Sequence, residues 1–299
     1  MRISPHTRQL SLQRAYIDQA LGARHNDVAH LQEQLTSGKT YNRASDDAAS
    51  YALGEKTEVL QARYGQYQRS IESAQLWVNH TQDHLNTVAD RLTEVYEKSL
   101  QYANATVDPD AREAGAQALE AIYADVVDLM NVKVGPNYLF AGTASRTQPF
   151  EDTGAGMAYQ GNNGTRTRQI GPGVTLDIGV TGAEVNDTGA GFTVIEAMQG
   201  AIDTLRAGGN MDTAIEQLTE ARDHIVSKGA EVGSVANRLD TAYNQLSSAN
   251  LSLEEQRSAL QDADYAEVIT EFQRAQTGLQ AALQVSAQTM RVSLLDYLR

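Results

Sequence analysis

Apolar residues recur at alternating steps of three and four along the stretch from Leu53 to Tyr102, with gaps at Thr57, Thr81 and Ser99. This spacing is typical of a coiled-coil seam, in which one face of a long helix packs against a partner helix. At about 1.5 Å per residue such a helix would be roughly 75 Å long. The members of the stripe are Leu53, Leu60, Tyr64, Tyr67, Ile71, Ala74, Val78, Leu85, Val88, Leu92, Val95 and Tyr102.

A second long stripe lies in the C-terminal half of the chain and predicts the partner of the first. We therefore predict a mainly α fold, with a long antiparallel helical coiled-coil rod formed by the N- and C-terminal halves. The members of this stripe are Val232, Val235, Leu239, Ala242, Leu246, Ala249, Leu253 and Leu260.

The middle of the chain is rich in glycine and proline, and this composition predicts an inserted β domain. Residues 136–190 hold ten of the 23 glycines and three of the five prolines. The cluster at residues 161–164, Gly-Asn-Asn-Gly, predicts a hairpin-like turn between two short strands. Beyond it, Val174, Leu176, Ile178 and Val180 alternate as they would in a half-buried strand.

Each end of the chain carries a further amphipathic segment, one before the Ser37-Gly38 break and one after Asp264. Their complementary stripes predict that the two arms pair; the alternative is two unrelated amphipathic termini. A lone pair of helices is marginally stable, so we expect assembly to supply further neighbours. The predicted assembly interface is Ile17, Leu21, Val28, Leu31 and Leu35 in the first arm and Phe272, Leu279, Leu283, Met290, Leu294 and Leu298 in the second, where Val268 continues the stripe.

Two adjacent carboxylates, Asp46 and Asp47, pose the question of an acidic chemical site. The pattern favours a helix start, with Ser45 as the N-cap and both aspartates in the first turn, where the helix dipole favours negative charge. Asp108-Pro109 predicts another helix start. Asp264 and Glu267 are spaced as a reciprocal capping pair before the second arm.

Charge and composition exclude several classes of function. The formal net charge of −14 argues against a nucleic-acid partner and against docking on an anionic membrane. The chain has no stretch of 18 apolar residues, and its first residues lack the apolar core of a cleavable signal peptide. With no cysteine, disulfides, thiol catalysis and cysteine-bound metals are excluded.

The motifs that could carry chemistry are weak. His80 and His84 are one turn apart, but the glutamate of a zinc-protease helix is replaced by Thr81, and both histidines fall off the seam. The glycine-rich stretch lacks the following Lys-Ser/Thr of a phosphate loop, and Arg166 and Arg168 are expected on the exposed face of a strand. We predict no catalytic residue, cofactor or metal; an enzyme with a site in the β domain is the alternative from another class.

Two distant motifs carry a family resemblance. Residues 31–53, LQEQLTSGKTYNRASDDAASYAL, and residues 260–283, LQDADYAEVITEFQRAQTGLQAAL, resemble the terminal signatures shared by flagellins and flagellar hook-associated proteins. NYLFAGT at 137–143, PF at 149–150, YQGNNGTR at 159–166 and the ending SLLDYLR resemble the hook–filament junction members of that family. The RASDDAAS stretch lacks a proline common in those members and looks flagellin-like, so flagellin is the alternative.

The resemblance implies a flagellin-like architecture and a structural function. The expected domains are a terminal helical inner domain (1–42 with 261–299), a helical rod (43–135 with 192–260) and a β-rich outer domain (136–191). The protein would be an extracellular subunit of the bacterial flagellum, joining the hook, through hook-associated protein 1, to the flagellin filament. It would self-associate in a ring, after type III export without a cleaved signal peptide and with a FlgN-type export chaperone.

Overall fold

The computed structural model describes residues 5–103, 108–154 and 156–297, with side chains from residue 15 to residue 288 outside the gaps. The mainly α fold with a β insert is confirmed, because three helices precede the strands and four follow them. The helices are α1 Pro5–Ser37, α2 Ala48–Tyr102, α3 Pro109–Met130, α4 Gly182–Asn186, α5 Val194–Ala207, α6 Asp212–Gln261 and α7 Tyr265–Tyr297.

The β insert consists of three antiparallel ribbons of two strands each. The pairs are β1 with β2, β3 with β4 and β5 with β6. Their bounds are β1 Lys133–Val134, β2 Asn137–Tyr138, β3 Phe150–Asp152, β4 Met157–Tyr159, β5 Thr167–Gly171 and β6 Val174–Asp177.

The predicted hairpin turn at residues 161–164 is wrong. The strand before it, β4, pairs back with β3, and the strand after it, β5, pairs forward with β6. The tight turns fall instead where glycines adopt the left-handed conformation that turns demand, such as Gly154 (φ 77°) and Gly173 (φ 70°). The predicted alternation beyond it holds in part, since Leu176 and Ile178 are buried while Val174 is half exposed.

The chain divides into two compact units, residues 1–62 with 250–299 and residues 63–249. Each unit contains part of α2 and part of α6. The division into inner, rod and outer domains stays a prediction.

Within the larger unit, α2 and α6 run antiparallel. Gln75 Nε2 donates to Asp240 Oδ1 at 2.5 Å, and the Tyr243 hydroxyl donates to Glu72 Oε1 at 3.3 Å, so residue numbers fall along α6 as they rise along α2. The predicted seams form the core between the two helices. Its buried members include Ile71, Ala74, Val78, Leu85, Val88, Leu92 and Val95 from α2 and Val232, Leu239 and Leu246 from α6.

The β insert is attached to the end of α3 by one amide side chain. Asn131 Nδ2 donates to the Phe150 carbonyl at 2.9 Å, and the Phe150 N–H donates to Asn131 Oδ1 at 2.8 Å. This pairing brings Phe150 of β3 into the core, where it is 1% exposed. The β insert and the helices of the larger unit therefore share one hydrophobic core.

The start of α2 corrects the predicted cap. The helix begins at Ala48, and the carboxylate of Asp47, not the Ser45 hydroxyl, accepts the N–H groups of Ala49 and Ser50, each at 3.0 Å. Asp46 lies before the helix, where its carboxylate accepts the Asn42 N–H at 3.1 Å. These hydrogen bonds lower the pKa of both aspartates, chiefly through the Asn42 N–H for Asp46 and the Ser50 hydroxyl for Asp47. Both carboxylates thus accept backbone N–H groups at or just before the start of α2.

At the start of α7, Asp264 Oδ1 accepts the N–H groups of Ala266 at 2.9 Å and Glu267 at 3.3 Å. The helix begins one residue after this aspartate, so the predicted cap position is correct. Among the hydrogen bonds of the described residues, the reciprocal bond from the Glu267 side chain does not occur.

Candidate functional site: the paired terminal helices

In the smaller unit, the terminal helices α1 and α7 pack against each other in antiparallel order. An apolar cavity of about 160 Å³ is lined by Ile17 and Leu21 from α1 and by Ala282 and Ser286 from α7. Further along the pair, Leu31 of α1 and Ala275 of α7 line a second cavity. The pairing expected from the two stripes is therefore present in the structure.

The contact between the two helices leaves most of the predicted stripe only half-buried. Val268 is 8% exposed, but Leu283 is 49% exposed. Met290 and Leu294 lie on α7 with side chains outside the described part, and Leu298 lies outside the described residues altogether. The half-buried members are Ile17, Leu21, Val28, Leu31, Leu35, Phe272 and Leu279.

A charged cavity of about 540 Å³ lies along the same helix pair. Arg24, Asp27 and His30 line it from α1, and Glu271 and Arg274 line it from α7. Arg24 and Asp27 form an exposed ion pair at 3.9 Å, a geometry that contributes little to stability. The pair of helices therefore combines an apolar seam with a mixed-charge groove.

A short backbone clasp joins the two chain segments at the inner ends of these helices. Lys39 and Asp262 form an antiparallel β-bridge, in which the Thr40 N–H donates to the Gln261 carbonyl at 2.7 Å. The clasp thus lies beside both the break after α1 and the break before α7. Sequence spacing alone did not reveal it, because a two-residue bridge has no periodicity to detect.

Tyr41 is a second feature that the sequence interpretation missed. It is 3% exposed, and its hydroxyl donates to the Ser50 carbonyl at 2.8 Å. A methyl group on Gly54 would lie 2.8 Å from that hydroxyl, so the tyrosine packs on a glycine of α2. An aromatic residue within an otherwise polar loop was the available signal.

The two histidines considered for metal binding differ in exposure. His80 is exposed and His84 half-buried, and the pKa of His84 is lowered by burial and then by the charge of His80. No group of three or more His, Cys, Asp or Glu in the described ranges is placed to hold a metal ion. None of the helices in those ranges is long and apolar enough to cross a membrane.

A cavity of about 460 Å³ beside the β insert is the place where an enzyme site would be sought. Its carboxylates are engaged with the backbone, since Glu184 accepts the Thr181 N–H at 2.9 Å and Asp187 accepts the Gly189 N–H at 2.9 Å. His224 Nε2 lies 2.9 Å from the Glu184 carbonyl oxygen. These contacts cap the short helix α4 and close the loop that follows it.

Arg166 does not lie on an exposed strand face as predicted. It precedes β5 and is partly buried, with its guanidinium carbon 3.9 Å from the centre of the Trp77 ring. The two residues are 89 positions apart (166 minus 77), so the pattern near either one could not indicate the contact. Arg168 is half-buried in β5.

Two family models match the chain, one at each end. The model for the bacterial flagellin N-terminal helical region matches residues 12–145. The model for the bacterial flagellin C-terminal helical region matches residues 211–298. The matched ranges include all of α2, α3, α6 and α7 and the part of α1 from residue 12 onward.

Similar proteins come from several bacteria. Flagellar hook-associated protein 3 of Salmonella typhimurium is 25% identical over 88% of this chain and 90% of its own length. A flagellar filament 30.7 kDa core protein of Treponema maltophilum is 26% identical over 91% and 92%. A solved structure of a putative flagellar hook-associated protein from Vibrio parahaemolyticus has a TM-score of 0.68 at 20% identity and covers 73% of this chain and 100% of that chain.

The fold and these matches define a class of protein, the structural proteins of the bacterial flagellum that carry flagellin-type helical regions at both ends. This chain belongs to the flagellin-like family of that class.

Proposed function

We propose that the protein is the junction adaptor between the flagellar hook and the flagellin filament, a structural subunit and not an enzyme. The observation that carries the proposal is the helix pair α1 and α7, which leaves apolar side chains uncovered in the single chain. Curated relatives named flagellar hook-associated protein 3 in Salmonella typhimurium and Escherichia coli each align over 88% of this chain. A structural neighbour from Legionella pneumophila is titled a flagellar junction protein.

The half-exposed stripe supports assembly through the terminal helices. Leu283 and Tyr16 of this pair are 49% and 74% exposed. Covering such side chains with a neighbouring subunit would stabilise the assembly by about 25 cal/mol for each Å² of apolar surface removed from water. We therefore assign the assembly interface to the predicted stripe, including Met290, Leu294 and Leu298 at its end.

The proposed partners follow from the position of the adaptor. One face of a ring of subunits would contact hook-associated protein 1 and the other would contact flagellin, outside the cell. The subunit would reach that place through flagellar type III export without a cleaved signal peptide, held before export by a FlgN-type chaperone. The acidic net charge of −14 is consistent with the absence of nucleic-acid and membrane partners.

The second candidate function is flagellin itself. Relatives named as flagellin or filament core protein align at a similar identity, among them a Bacillus subtilis flagellin that is 26% identical over 86% of this chain. Structural neighbours are titled hook-associated or junction proteins, so the flagellin function is less supported. The two functions differ in location: an adaptor forms a ring at the base of the filament, whereas flagellin occupies its whole length.

Deletion of the gene tests the proposal. We expect cells that build hooks and secrete flagellin into the medium without assembling filaments, and complementation should restore them. Gold labelling of a tagged protein should mark one band at the hook–filament boundary. Labelling along the entire filament would establish the flagellin function instead, and normal filaments in the deletion strain would refute both.

A further inference from the structure

The loop at residues 161–164, which is not a hairpin turn, fastens two parts of the β insert through one side chain. Asn162 Oδ1 accepts hydrogen bonds from the Thr143 N–H at 2.9 Å, the Thr143 hydroxyl at 3.0 Å and the Gly164 N–H at 3.1 Å. The Asn162 carbonyl accepts the Tyr159 hydroxyl at 3.0 Å. Asn162 is therefore the acceptor on which the loop converges.

The next residue, Asn163, has a chemical liability. It is exposed, and it precedes Gly164 in the one Asn-Gly pair of the sequence. In such a pair the following backbone nitrogen, after losing its proton to hydroxide, can attack the side-chain amide carbon. A C–N bond forms, ammonia leaves with the C–N bond that breaks, and water opens the resulting succinimide to aspartate or isoaspartate. Glycine favours this reaction because it has no side chain to shield its nitrogen or restrict its backbone.

In the folded protein the attacking atom is already engaged. The Gly164 N–H donates to Asn162 Oδ1, which holds its proton and fixes the direction of the nitrogen. Gly164 also has little freedom to move, since a methyl group there would overlap the Thr143 side chain. We propose that Asn163 is a latent deamidation site and that the Asn162 side chain keeps it intact by holding the Gly164 N–H.

Conversion would damage the place where it occurs. A new carboxylate at Asn163 would change the charge of a cavity that Glu184, Asp187, His224 and Lys228 also line. Isoaspartate would also add a methylene group to the main chain in a loop without slack, because a methyl on Gly142 would overlap the Asn162 carbonyl oxygen. A side chain that suppresses the reaction therefore preserves the attachment of the loop.

The test compares four folded proteins and one peptide during incubation at alkaline pH, with conversion at Asn163 measured by peptide mass spectrometry. Asn162→Ala removes the acceptor, and Asn162→Asp keeps an acceptor oxygen in place. Thr143→Val removes another hydrogen bond of the same side chain but leaves the one to Gly164. A synthetic peptide of residues 159–166 gives the unprotected rate.

We expect the wild type, Asn162→Asp and Thr143→Val to convert slowly. Asn162→Ala should convert about fivefold faster, the factor that corresponds to the net free energy of one neutral hydrogen bond. Equal rates for wild type and peptide would overturn the proposal, as would an unchanged rate in Asn162→Ala. Equally fast conversion of Thr143→Val and Asn162→Ala would also overturn it, because general loosening would then be the cause. If Asn162→Ala does not fold, Asn162→Leu replaces it, because leucine has a similar size and no acceptor oxygen for the Gly164 N–H.

Discussion

The guanidinium carbon of Arg166 lies 3.9 Å from the centre of the Trp77 ring and stacks on its face. The same arginine is bound into the β5–β6 ribbon, since its carbonyl accepts the Ile178 N–H at 2.8 Å. Trp77 belongs to α2, so this cation–π contact fixes the ribbon to the long helix. The charged side chain of Arg166 thus holds the β5–β6 ribbon against α2, whereas apolar packing holds the other parts of the core together.

We expect Arg166→Ala to lower the free energy of unfolding of the larger unit by about 1 kcal/mol, the usual contribution of a partly desolvated cation–π pair. Trp77 is the only tryptophan, so its fluorescence reports this contact directly and its emission should shift as the indole gains water. Denaturant unfolding followed by tryptophan fluorescence measures both effects. Arg168→Ala is the matched control, and an equal effect there would contradict the assignment.

His84 should make the larger unit less stable in mild acid. Burial and the neighbouring His80 lower the pKa of His84 below its ordinary value of 6.5, so the unfolded chain binds its proton more readily than the folded one. Stability from this residue is present above about pH 6.5 and falls as the pH drops through the folded pKa. His84→Gln should flatten that part of the profile of Tm against pH, whereas His80→Gln, on the exposed side, should change it less. Identical profiles for wild type and His84→Gln would be inconsistent with this origin.

The seam residues show how much of the fold the sequence could predict. Its gaps at Thr81 and Ser99 proved to be buried positions, 1% and 0% exposed, so the stripe is buried without a break from Ile71 to Ser99. Its first member, Leu53, is 48% exposed. Thr81 can occupy the core because its hydroxyl donates to the Trp77 carbonyl one turn earlier at 2.9 Å. Periodicity therefore predicted both long helices and their antiparallel pairing, since each signal repeats many times.

The β insert was less predictable because its strand pairing and its turns each depend on a few local hydrogen bonds. The pentapeptide DTGAG occurs at residues 152–156 and again at 187–191. In each copy the aspartate accepts the N–H of the glycine two residues later, from Gly154 at 2.8 Å and from Gly189 at 2.9 Å. Comparison of the sequence with itself would have located both loops. The cluster of turn-forming residues at 161–164 instead favoured a turn at a position where no hairpin forms.

The backbone clasp between Lys39 and Asp262 depends on Gly38. Its φ is 72°, a left-handed conformation, and a methyl group there would lie 2.7 Å from the Tyr265 hydroxyl. Gly38→Ala should destabilise the smaller unit by roughly 1–2 kcal/mol through backbone strain. Gly22→Ala, in the middle of α1 with open space around it, should instead stabilise the helix by roughly 0.5–1 kcal/mol. Hydrogen exchange of the amides in α1 and α7 measures both changes, and changes of the same sign would refute the argument.

The assembly surface has its sharpest test at Leu283, which is half exposed although it continues the apolar stripe of α7. An aspartate there would remain in water in the single chain, so Leu283→Asp should leave the thermal unfolding and helical content of the monomer unchanged. In the assembly the same carboxylate would be taken out of water at a cost of several kcal/mol, and filaments should be lost from cells. Gln284→Asp introduces the same charge at the neighbouring exposed position and should assemble. Normal filaments in Leu283→Asp cells would exclude this face from the interface, and loss in both variants would attribute the defect to charge alone.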